Sequence, residues 1–320
     1  MIKLETIKAS ILGFAVADAM GVPVEFVSRY ELKTNPITEM KEGGIWNQPI
    51  GTWSDDTSMT IATMESISRL QKIDYTDIIS NFAKWYQKGE FTANDYCFDT
   101  GMATRQAISN FAHGVPALDC GLSGERNNGN GSLMRILPIA FYLFNRYGNS
   151  FDDEAMNIIH NVSSLTHAHP RSLIACGIYC LIVAELLSGQ DIASAVKIGF
   201  SKAKTYYEGL PILNDELQYY SRLIDDNFAN LPENEIKSSG YVVHTLEAVI
   251  WCLLNTSDYK SLVLKAVNLG DDTDTVAAIA GGLAGIIYGL ENIPSEWLSV
   301  LKKRDYLEDI CVSFCNFLQK

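Results

Sequence analysis

The chain has 320 residues, 47% of them apolar and 20% charged, a globular balance with enough apolar residues for a sizeable core. Lys and Arg total 25 against 38 Asp and Glu, and the resulting net charge of −13 argues against a broad nucleic-acid interface, though not against a local pocket for one nucleotide. The N-terminal apolar stretch is broken by Asp18 and no clean apolar run of about 18 residues follows, so neither a signal peptide nor a membrane span is expected.

Ile7, Ile11, Leu12, Ala15 and Ala19 recur in steps of three and four and predict a first helix. Residues 28–54 read as an irregular stretch, long enough to suggest a functional loop. Helical periodicity returns over 57–70, 76–88 and 102–112, and a second irregular stretch covers 113–131. Helices are then predicted over 132–146, 154–165, 170–188, 191–206, 214–227, 240–255, 258–268, 274–288 and 295–318. Pro170 suits the first position of its helix. Strict apolar–polar alternation is nearly absent, so no strand is predicted. No linker, charge block or repeat divides the chain, and the segments 132–146, 170–188 and 274–288 are apolar nearly all round. The expectation is one all-α domain over residues 1–320, of roughly a dozen helices. Cys176/Cys180 and Cys311/Cys315 are each four apart, a spacing that suits packed thiols in a helical core and, with seven cysteines in all, a reducing cytoplasm.

Two acidic clusters stand just before apolar helices. One is Gly51-Thr52-Trp53-Ser54-Asp55-Asp56-Thr57, the other Gly270-Asp271-Asp272-Thr273-Asp274-Thr275. Helix capping accounts for one or two acids in each, because a cap needs one acceptor. Three carboxylates in one turn repel each other unless a cation offsets them. Hard oxygen donors without nearby His or Cys favour Mg²⁺, Mn²⁺ or Ca²⁺ over zinc, and two such clusters facing each other could hold two ions.

Asn127-Asn128-Gly129-Asn130-Gly131-Ser132 reads either as a plain Asn-Gly turn or as a loop whose amides cradle a phosphate. Arg135, just after it, suits either a phosphate contact or a structural pair. Thr166-His167-Ala168-His169-Pro170 places two histidines that fit a cap or core role, or packing against a sugar or base. Glu25 follows the first helix and Asp99 precedes another, where exposed turn acids are common. Tyr241 suits base stacking or the start of a buried helix.

Taken together, six segments in order resemble the ADP-ribosylglycohydrolase family. They are residues 13–26, 53–59, 130–135, 166–170, 240–248 and 270–275. The resemblance implies an all-α fold with two divalent cations, Mg²⁺ or Mn²⁺, at the bottom of a cleft. It carries the metal-ligand role to Ser54, Asp55 and Asp56 on one side and to Asp272, Asp274 and Thr275 on the other. Ser54 stands where relatives often have Thr, the same ligand type, and Asp271 is left out of the ligand set because relatives often have Gly. The catalytic set implied is Glu25, Asp99, Asp55 and Asp272, with Asp99 the candidate for a guanidinium leaving group. Asn130, Gly131, Ser132 and Met134 match the loop around the diphosphate, and His167 and Tyr241 the ADP-ribose groove.

The function implied is metal-dependent hydrolysis of ADP-ribose from protein side chains, arginine first, through an oxocarbenium-like state. Serine, O-acetyl-ADP-ribose or nucleobase linkages are the alternatives within the family. An immunity protein that binds and blocks an ADP-ribosyltransferase toxin is the alternative outside catalysis, with residues 28–54 as a contact region.

Overall fold

The apolar first helix of the sequence becomes the centre of the structure. In the computed structural model, which describes residues 1–320, α1 (Leu4–Gly21) is buried along nearly its whole length. Five further helices precede the middle of the chain: α2 (Arg29–Thr34), α3 (Asp55–Leu70), α4 (Tyr75–Lys88), α5 (Met102–Ala112) and α6 (Leu137–Tyr147). They are followed by α7 (Asp153–Ser164), α8 (Pro170–Leu187), α9 (Ile192–Glu208) and α10 (Pro211–Leu217). The C-terminal part adds α11 (Val242–Leu254), α12 (Tyr259–Val267), α13 (Thr273–Tyr288), α14 (Ser295–Val300) and α15 (Arg304–Leu318). There is no sheet; three isolated bridges join loops, Gly43 to Gln48, Leu122 to His167 and Gly129 to Tyr241. The all-α expectation therefore holds.

α1 packs along α13 with the two backbones nearly touching. A Cβ on Gly13 would lie 2.8 Å from the Gly281 carbonyl oxygen, and one on Gly281 would lie 2.5 Å from that of Gly13. Small residues at this seam draw the C-terminal end of α1 to the N-terminal end of α13. α3 packs on α4 and α15, while α6, α7, α9 and α11 surround α8. One contiguous apolar core runs through all of them. All seven cysteines are unpaired thiols, and six are buried, including both four-apart pairs.

Several expected boundaries move, each for a local reason. The helix expected over 132–146 starts only at Leu137. Pro138 lacks an N–H and fits a first helical turn, not a helix interior, so residues 131–135 form turns instead. The 214–227 helix is replaced by α10, which starts at Pro211, and a tighter 3-10 run over Gln218–Ile224. The 295–318 helix is two, broken around Lys303, which has a left-handed φ of 46°. The break serves a purpose: the Lys302 N–H donates to the Gly51 carbonyl (3.0 Å) and the Trp53 indole N–H to the Lys302 carbonyl (3.0 Å), pinning the segment before α3. The 28–54 stretch contains α2, started by a Ser28/Glu31 capping box.

The membrane expectation also needs correction. Leu4–Val24 and Pro170–Leu187 are each long and apolar enough to cross a membrane by length and hydropathy. Both are mostly buried inside the fold, where such composition suits the core of a large helical body.

Candidate active site

Asp18 is the sole charged residue between Ala9 and Val24, and it is fully buried. Its carboxylate accepts from the Ser54 N–H (2.9 Å), the Thr57 N–H (3.1 Å) and the Thr57 hydroxyl (2.6 Å). α1 thus caps the start of α3 from outside that helix. Burial pushes the Asp18 pKa up to about 6, against the pull of those hydrogen bonds.

With α3 held there, the two acidic clusters meet. The Ser54 hydroxyl donates to Asp56 Oδ2 (3.0 Å), and so does the Thr275 hydroxyl (3.2 Å). Side-chain oxygens of Asp18, Asp56 and Asp274 all lie within 4.8 Å of one another, and so do those of Glu25, Asp99 and Asp274. Asp56 Oδ1 and both oxygens of Asp274 are buried without a hydrogen-bond partner. Burial, then the neighbouring carboxylates, lifts Asp55, Asp56 and Asp274 well above the usual carboxylate range. Buried orphaned carboxylate oxygens on hard donors are what a divalent cation would satisfy. The residues present fit such a group.

Above these acids lies a cleft of about 730 Å³. Glu25, Asp55, Asp99, Asp271, Asp272 and Thr275 line its acidic end, while Ser54, Asp56 and Asp274 lie beneath it. Asp272 stands at the N-terminus of α13 but makes no side-chain cap; its Oδ2 accepts from the Asn130 amide (2.7 Å). Glu25 Oε2 accepts from the Trp46 indole N–H (2.5 Å). Burial and the nearby Asp99 push Glu25 up to about 9, and burial with Asp272 pushes Asp99 up to about 7. Asp271 has a φ of 61° at the mouth, where its carbonyl accepts from the Phe26 N–H (2.7 Å).

The other end is built from the 121–131 loop. Backbone bonds between Leu122 and residues 166 and 168 tie it to the start of α8. Bonds from the Asn130 N–H to Gly240 O and the Val242 N–H to Asn128 O (both 3.0 Å) tie it to the start of α11. Asn130, Gly131, Met134 and His167 line the cleft. A Cβ on Gly131 would lie 2.8 Å from His167 Cε1, so only glycine lets the imidazole approach this closely. Burial, with Arg135 nearby, pulls His167 down to about 3, so its ring is neutral.

Besides Ser54, Asp56 and Asp274 beneath it, three further residues from the sequence reading do not line this cleft. Ser132 is fully buried, and its hydroxyl accepts from Ser163 (2.9 Å). Tyr241 stands behind the loop, its hydroxyl accepting from Arg171 (3.2 Å). Arg135 takes the structural option: its guanidinium is buried against the carbonyls of Val162 and Ser163 and the Thr166 hydroxyl, over the Phe82 ring. Two contributors were missed. Asp18 had a signal, a lone charge in an apolar helix; Arg126, the one Lys or Arg lining the cleft, had none.

The profile of the ADP-ribosylglycohydrolase family matches residues 2–319. The chain belongs to that family. It is 32% identical over 308 residues to ADP-ribosylarginine hydrolase Tri1 of Serratia proteamaculans (strain 568), covering 96% of this chain and 78% of that protein. It is 30% identical over 295 residues to the ADP-ribosyl-[dinitrogen reductase] glycohydrolase of Rhodospirillum rubrum, covering 91% and 88%. A solved structure described as an ADP-ribosylglycohydrolase-related protein complex superposes with a TM-score of 0.80 at 28% identity, covering 98% of both chains. As a member of this family the protein is a hydrolase of ADP-ribose glycosidic bonds.

Proposed function

We propose that this ADP-ribosylglycohydrolase cleaves the N-glycosidic bond between ADP-ribose and an arginine side chain of a modified protein. The observation that carries the reading is the pair Glu25 and Asp99. Their oxygens come within 4.8 Å of each other at the acidic end, while the one lining cation, Arg126, sits on the loop that carries Asn130. Such a pair suits a guanidinium, which donates several hydrogen bonds to carboxylates at once. Two relatives named ADP-ribosylarginine hydrolase, at 32% and 30% identity, support the same linkage.

In this reading Ser54, Asp55, Asp56, Asp272, Asp274 and Thr275 would hold two divalent cations, Mg²⁺ or Mn²⁺. When bound, these supply Lewis-acid stabilisation beside the ribose and offset the crowded carboxylates. Asn130 and Gly131 take the diphosphate, and the neutral His167 ring packs beside the sugar. Asp99 keeps the leaving guanidine nitrogen protonated as its bond to the ribose breaks through an oxocarbenium-like state. With the cations' positive charge beside it Glu25 would be ionised, and, oriented by Trp46, it takes a proton from the water that forms the new C–O bond. The test is hydrolysis of defined arginine-, serine- and nucleobase-linked ADP-ribose in Mg²⁺ and in Mn²⁺. Preference for the arginine linkage is expected; turnover of the serine linkage alone would refute the reading.

A further inference from the structure

The cleft does not end at Asp99. Beyond that residue opens a second hollow of about 720 Å³, walled by Phe26, Trp46, Tyr86, Phe98 and Met102. Phe26, Asp99, Gly101 and Met102 line both spaces, so the two are continuous. Their linings differ in kind. The cleft is lined mostly by carboxylates, amides and glycines; the hollow is lined mostly by aromatic rings and a methionine, with Cys97, Thr100 and an exposed Arg105, whose guanidinium donates to the Thr100 carbonyl (3.3 Å), completing it.

These apolar side chains are displayed at a cost. Phe26 is 60% exposed and Met102 is 84% exposed. Phe26 also holds a left-handed φ of 65°, and Asp99 one of 48°. A bulky residue kept in that region, with its ring toward solvent, runs against both backbone preference and burial. The hydrogen bond from the Phe26 N–H to the Asp271 carbonyl fixes it there. Trp46 and Phe98 stand side by side, with ring centroids 6.0 Å apart, and the Trp46 indole N–H is committed to Glu25. An aromatic wall therefore begins at the carboxylate itself.

We propose that this hollow is the acceptor subsite, which receives the stem of the modified arginine and the polypeptide flanking it. The inference rests on the arginine reading above. With the diphosphate at Asn130 and Gly131, the glycosidic bond falls at Glu25 and Asp99, and the space that continues beyond Asp99 is this hollow. An arginine side chain needs carboxylates for its planar guanidinium and flat apolar faces for its methylene stem and ring-like plane. Glu25 and Asp99 supply the first, and Trp46, Phe98 and Tyr86 the second. A short serine stem would leave those faces unused.

The test compares two substrates with the same N-glycosidic bond, an ADP-ribosylated arginine peptide and ADP-ribosylguanidine, which lacks stem and peptide. The wild type is expected to show a KM about tenfold lower for the peptide. Phe98→Ala and Tyr86→Ala should each raise the peptide KM severalfold, leaving the KM for ADP-ribosylguanidine and the Kd for ADP-ribose unchanged. Tyr86 is exposed on α4, so its truncation keeps the test open if the Phe98 variant folds poorly. Equal KM values for both substrates in the wild type, or variants that leave the peptide KM alone, would overturn the subsite while arginine hydrolysis stands. A wild type that cleaves neither arginine compound would overturn the arginine reading and the subsite together.

Discussion

Gly21 and Asp274 meet backbone to backbone: a Cβ on Gly21 would lie 2.3 Å from the Cα of Asp274. This contact sets the height of the α13 N-terminus against α1, and with it the distance from Asp274 to Asp18 and Asp56. Gly21→Ala must therefore push the two helices apart. The expected cost is about 1–3 kcal/mol of stability from overpacking, with most hydrolysis lost. Chemical denaturation and turnover check both. A variant of wild-type activity would show that the site tolerates a shift of α13.

The crowded carboxylates make the metal-free protein sensitive to pH. Asp18, Asp99 and Glu25 have pKa values raised to about 6, about 7 and about 9 in the fold, against ordinary carboxylate values when unfolded. The folded state thus binds more protons than the unfolded state. Stability from these groups is full below the unfolded values and is lost as pH rises through the folded ones. The melting temperature in chelator should fall between about pH 5 and pH 9, and saturating Mg²⁺ or Mn²⁺ should flatten the fall by binding the native state. A melting temperature that rises over this range in chelator would contradict the clustering.

If the diphosphate sits at this loop as proposed, Arg126 is the cation available to it, because Arg135 is spent on backbone carbonyls and His167 is neutral. The loop carrying it is clamped next door, where Arg171 bonds Glu125 at 2.7 Å. Arg126→Gln should weaken ADP-ribose binding about tenfold or more, the scale of one hydrogen bond to a charged group. Adenosine binding, measured by the same titration calorimetry, should not change. Equal losses for both ligands would place Arg126 at the base instead of the phosphates.

In the proposed reaction Asp99 serves the leaving group. Asp99→Asn should retain ADP-ribose and metal binding and lose about 100-fold or more in single-turnover cleavage of an arginine-linked peptide. Cleavage at the wild-type rate would reduce Asp99 to a turn residue.

Much of this protein was legible along the chain because it is written in short-range patterns. Period-3.6 apolar faces gave the helices, and the oxygen-rich starts of α3 and α13 marked the two clusters, since caps and clusters lie within one turn of sequence. The misplaced boundaries had local causes too, Pro138 and Pro211 being readable stops or starts. What no local pattern holds is which faces meet. Asp18 joins the site because glycines at 13, 21 and 281 let α1 and α13 touch, and its carboxylate then caps a helix 36 residues further on. Ser132 and Asn130 are two residues apart, yet one backs into the core and the other bonds Asp272, 142 residues away. The sequence by itself determined the helices and the stock of acids. Tertiary packing decided which acids face one another, because the free energy of bringing like charges together is set by distance and burial, and both exist only in the folded chain.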